Sequence, residues 1–148
     1  MSVISEQYFQ TIRSKIANLR NVQLVGTVVE PEYTQAKNRI ALIYALEVVL
    51  HLHREKYSSS WSNLNGRKSL DHLLIQKYSW TLDQVRALEL PDIILCLQEE
   101  LLPENLPPEA MDIINMYSPS RGKQQFDDYL NEEWDPDLHL QIQPPRPW

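Results

Sequence analysis

A chain of 148 residues is the usual length of one domain, and with 43% apolar and 23% charged residues it can bury a core without covalent staples. One cysteine, Cys96, excludes an internal disulfide and fits a reducing compartment, most simply a cytoplasm. No run reaches the roughly 18 consecutive apolar residues of a membrane span, the N-terminus lacks the pattern of a secretory signal, and a net charge of −6 opposes docking on nucleic-acid phosphates.

With three glycines and few β-branched runs, the chain favours helix over sheet. Ile4, Tyr8, Ile12, Ile16 and Leu19 recur at helical spacing, with Phe9 widening the stripe, and predict an amphipathic helix over 4–20. Val22 to Val29 is the one β-like stretch. A lone strand has no pairing partner, so a packed connection is expected. Thr34 is the expected cap of a long second helix reaching Tyr57. Ile40 to Leu50 is apolar nearly all round, which suits a helix at the centre of a bundle, or one that meets a second copy in a homodimer.

Residues 58–69 form a polar break with the turn signal Asn65-Gly66. Ser69 is expected to cap a third helix carrying Leu70, Leu73, Leu74 and Tyr78. Thr81-Leu82-Asp83-Gln84 has the capping-box pattern of a short helix. Pro91 suits the first turn of a further helix running to about Leu102, with Cys96 buried in it. Pro107-Pro108-Glu109 opens another that packs Met111, Ile114 and Tyr117, broken by residues 118–122. Phe126, Tyr129 and Leu130 predict a last helix over 123–132. Beyond it Pro136, Pro144, Pro145 and Pro147 imply an extended tail. The expected fold is all-α: a compact bundle of six or seven helices, one of them long and central, with residues 1–137 as one domain and 138–148 as a Pro-rich tail.

Motifs that would carry chemistry fall short. Residues 81–101 have the outline of a helix–turn–helix, but its reader helix would present Asp92, Gln98, Glu99 and Glu100 to phosphates. His51 and His53 point about 200° apart on a helix. Glu47 and His51 share a face at i, i+4 without the further ligands of a known metal motif. Asp135, Asp137 and His139 lack the glycine turn and oxygen set of a calcium loop. Gly66-Arg67-Lys68-Ser69 resembles the end of a phosphate-binding loop but lacks its upstream glycine. No cofactor and no metal are expected. An enzyme is left only as a site between helices near Glu47, His51 and His72.

Charge is the more informative signal. Residues 1–68 carry a formal +4 and residues 69–148 a formal −10. Within the acidic half, Phe126 to Asp137 sets six carboxylates among Phe126, Tyr129, Trp134 and Leu130. Acids around large rings suit docking on a basic, partly apolar protein surface. Inward packing of the rings is the competing account. The residues expected to meet a partner are Phe126, Asp127, Asp128, Tyr129, Glu132, Glu133, Trp134 and Asp135. Trp61, set between serines, is expected to anchor its own loop, with exposure to a partner as the alternative. The function that follows is a non-enzymatic protein-interaction module, of the inhibitor, immunity or chaperone kind.

Overall fold

The computed structural model describes residues 2–117 and 124–141. Among them are seven α-helices and no strand. Ser5 caps α1 (Glu6–Arg20), its hydroxyl accepting from Tyr8 N at 3.2 Å, and Tyr8, Phe9, Ile12 and Ile16 form the buried stripe. Asn21, in the left-handed region, closes the helix. Residues 22–29 are indeed a connection, with Val25 and Val29 exposed. No helix among the described residues is long and apolar enough to cross a membrane.

The long helix α2 (Glu32–Tyr57) spans 26 residues and begins before the expected cap. Thr34 lies inside its first turn. The Glu30 carboxylate takes the capping role, accepting from Thr34 N at 2.9 Å and from the Thr34 hydroxyl at 2.6 Å. A carboxylate there also suits the positive end of the helix dipole. Ile40, Ile43, Tyr44, Leu46, Val48 and Leu50 are all buried within this one chain. Helix α1 and α3 (Lys68–Tyr78) pack against α2, as does α6 (Pro108–Tyr117).

Ser69 does not cap α3. It sits buried in the first turn, donating to Gly66 O at 3.1 Å and accepting from Arg54 Nη2 at 3.2 Å. The expected capping box does form at α4 (Leu82–Arg86), with both reciprocal bonds between Thr81 and Gln84. Helix α5 (Leu90–Cys96) is shorter than expected and turns follow it. The Cys96 carbonyl, which would accept the Glu100 N–H in a continued helix, is taken by the Tyr78 hydroxyl at 2.7 Å and by the Lys77 ammonium at 3.3 Å. Leu102 is extended before Pro103, as the proline ring demands. Cys96 itself is half-buried rather than buried. Helix α6 starts at Pro108 as expected, and Tyr117 stacks on Phe9 at 5.4 Å.

The helix expected over 123–132 is absent from 124–130, where the chain is irregular; a single 3-10 turn, Asn131–Glu133, follows. Side chains of the first two helices occupy the carbonyls that a helical ladder would use. Arg39 donates to Phe126 O at 3.1 Å and to Asp128 O at 2.9 Å, and Arg20 donates to Asp128 O at 2.8 Å. Gln35 donates to Gln125 O at 3.2 Å, and Asn38 donates to Gln124 O. Where an extended tail was expected, residues 138–141 form one helical turn, α7 (Leu138–Gln141), and Leu138 joins the core. The break at 118–122 and the prolines at 144, 145 and 147 lie outside the described residues.

Candidate functional site

The acidic and aromatic segment 126–137 was expected to face a partner, and much of it turns inward. Glu133 is buried between two arginines, 2.6 Å from Arg20 Nη2 and 3.0 Å from Arg39 Nη1. Asp128 adds a 2.7 Å bond to Arg20 and is held below the usual carboxylate range by it. Phe126 lies 4.1 Å from the Arg20 guanidinium and Tyr129 4.1 Å from that of Arg39, so these rings cover cations of their own chain. Asp135 pairs with Lys15 at 3.6 Å. Trp134, expected as an anchor, is only 7% exposed. Its indole N–H donates to Glu47 at 2.7 Å. Of the expected set, Asp127 and Glu132 are the exposed acids that form no ion pair among the described residues.

Glu47 therefore serves the core. Tyr8 OH donates to it at 2.6 Å from the other side, and burial pushes its carboxyl up to about 7, against the effect of the two hydrogen bonds. The same burial, with the Glu47 charge beside it, raises Tyr8 strongly. His51 pairs with Glu55 at 3.3 Å instead of sharing a ligand with Glu47. His139 accepts from Gly66 N at 2.9 Å, and Asp137 Oδ1 lies against the same glycine. Among the described residues no three His, Cys, Asp or Glu side chains converge on a metal position.

The stretch 82–117 uses its acids differently. It carries eight carboxylates against one arginine, a formal −7. Glu100 is paired with Lys77. Asp83, Glu89, Asp92, Glu99, Glu104, Glu109 and Asp112 are exposed and, among the described residues, form no ion pair. Leu95 stands 69% exposed and Met116 58% exposed in the same stretch.

This stretch also walls a cleft of about 510 Å³ against α2 and α3. Val49, Leu52 and Leu73 give the cleft an apolar lining, and Glu99, Glu100 and Lys56 give it charge. At one side His53 Nε2 and His72 Nδ1 meet at 2.8 Å, with the Tyr57 ring 4.6 Å from His53 and 5.3 Å from His72. Burial, then the neighbouring His72, Lys56 and Arg54, bring His53 down to about 4, so it is neutral at pH 7. Trp61, in the loop after α2, does not anchor that loop: it is 95% exposed.

No family model, curated protein or solved structure matches the chain. The sequence reading missed the cleft. Its traces were the i, i+4 pairs His53/Tyr57 and His72/Gln76 on two helices, but nothing local says that these helices adjoin.

Proposed function

We propose that this chain is a protein-interaction module whose cleft between α2, α3 and residues 97–105 accepts a basic, partly apolar segment of another protein, covering that segment as an inhibitor or chaperone would. The observation that carries the reading is the union of an open apolar cleft with a wall from a stretch of formal −7. Unpaired exposed carboxylates raise the encounter rate with a basic partner and repel acidic ones. Val49, Leu52 and Leu73 supply the apolar contact, and an exposed tryptophan such as Trp61 is the side-chain type that most often dominates binding energy. The docking role expected of 126–137 thus moves to the acids that remain free.

The test is affinity capture from the native cell on the immobilised chain, identification of the bound protein by mass spectrometry, and titration of that protein against variants. Leu52→Glu, Trp61→Ala and a quadruple variant (Glu89→Gln, Asp92→Asn, Glu99→Gln, Glu104→Gln) should each weaken binding about tenfold or more. The quadruple variant should also flatten the salt dependence. Asp127→Asn with Glu132→Gln should leave Kd unchanged. An unaltered Kd and salt slope in the quadruple variant would remove this reading.

A further inference from the structure

Two side-chain hydrogen bonds tie α2 to α3 among the described residues. The first, from Arg54 Nη2 to Ser69 Oγ at 3.2 Å, joins two groups that do not change charge at ordinary pH. The second joins His53 Nε2 to His72 Nδ1 at 2.8 Å. The two ring centroids are 5.0 Å apart, close to the greatest separation that this N···N distance allows, so the two nitrogens are aimed at each other. A neutral imidazole carries one N–H and one bare nitrogen, so one ring donates, the other accepts, and a single proton lies between them. The Tyr57 ring packs against both.

The charges that act on this pair have one sign. Those that reach His53 come from His72 on α3 and from Lys56 and Arg54 on its own helix. Lys56 lies 5.2 Å over the Tyr57 ring. The acids at the cleft are Glu99 and Glu100; Glu100 is bound to Lys77, and neither pairs with His53 or His72. The outer nitrogens, Nδ1 of His53 and Nε2 of His72, make no hydrogen bond among the described residues. One added proton leaves the central bond in place, because an imidazolium still donates to a neutral ring. A second proton turns both facing nitrogens into donors. No N–H···N bond can then form, and two like charges meet at hydrogen-bond distance.

We infer that the His53–His72 bond is an acid-sensitive clasp between α2 and α3, closed while the pair holds at most one extra proton and opened by the second. The opening is felt at the cleft, which His53 and Tyr57 line from α2 and Leu73 and Gln76 from α3. It stays local, since the Arg54–Ser69 bond and the buried Leu70 and Leu74 keep α3 on the core. One consequence rests on the docking function proposed above: two imidazolium charges at the cleft expel a basic segment in acid.

The experiment follows the ring protons of His53, His72 and Tyr57 by NMR in the full chain, from about pH 8 to about pH 3.5, with amide hydrogen exchange read alongside. His53 is expected to titrate at about 4 and to lose its through-space contacts with the His72 ring in the same step. Protection of the amides of residues 72–76 should fall about tenfold while α1 keeps its protection. His72→Gln leaves an acceptor facing His53 without its charge, and it retains Glu99 and Glu100. It should raise the His53 midpoint by about one unit or more and keep 72–76 protected in acid. His53→Gln should keep the same amides protected, by removing the other charge. Ring contacts that outlast the titration of both histidines, an unmoved His53 midpoint in His72→Gln, or an equal loss of protection in α1 overturns the clasp. A clasp that opens while the captured protein keeps its Kd down to about pH 4 upholds this inference and counts against the docking function.

Discussion

Residues 126–137 and residues 82–117 both set many acids among large apolar side chains, and the fold spends them in opposite ways. In the first, Glu133 is buried against Arg20 and Arg39, Asp128 reaches Arg20, and Phe126 and Tyr129 lie over the same guanidinium groups. In the second, seven acids stand in solvent, and Leu95 and Met116 are exposed in the same stretch. Composition does not separate the two stretches. What does is whether cations of α1 and α2 lie opposite, because a carboxylate leaves water only where a paired charge and further hydrogen bonds receive it.

Several variants would break or sharpen this contrast. The largest effect is expected from Glu133→Gln, which leaves the buried Arg39 without its counter-charge and Arg20 with Asp128 alone. A loss of about 3–5 kcal/mol is expected, read by urea unfolding and by faster proteolysis within 124–137. A loss below about 1 kcal/mol would show that the inward segment is held by its rings alone.

Next come two pH effects of opposite sign at the buried groups. Glu47 holds its proton up to about 7 in the fold against an ordinary value of 4.5, so the native state binds more protons between these limits. Its contribution to stability is fully present below about pH 4.5 and falls as pH rises to about 7, by up to about 3 kcal/mol at about 1.4 kcal/mol per unit. Glu47→Gln should remove that fall. His53 shifts from 6.5 to about 4, so its contribution is present above about pH 6.5 and is lost as pH drops toward 4. His53→Gln should therefore reduce the acid sensitivity. The windows overlap between about pH 4.5 and 6.5, where the Glu47 slope opposes that of His53 and that of His139, which burial likewise lowers to about 4. Stability against pH for each single variant uncovers them.

The smallest stability effects belong to the outward region. Neutralising Glu89, Asp92, Glu104 or Glu109 one at a time should change stability by less than about 0.5 kcal/mol. A loss of several times that from any one of them, measured by urea unfolding, would place that acid with Glu133 rather than in solvent.

Much of the helical framework was legible because its signals are local. The stripe Tyr8, Phe9, Ile12 and Ile16 specifies α1, the Thr81/Gln84 box opens α4, and Pro107-Pro108 starts α6. Each rests on residues within a turn or two of one another. The errors have distant causes: α5 ends where Tyr78 and Lys77 capture the Cys96 carbonyl, and 124–130 stay irregular where Arg39 and Arg20 capture carbonyls nearly a hundred positions away in the chain. The cleft was equally out of reach, since it gathers residues from three separate segments.

The amino-acid order alone thus determined that this protein is helical, because periodicity and caps act over three or four residues. It also placed the negative charge in the second half. Which acids face solvent, and which face Arg20 and Arg39, was decided only by tertiary packing. The cost of burying a charge depends on what stands opposite it in space, and spacing along the chain carries no record of that.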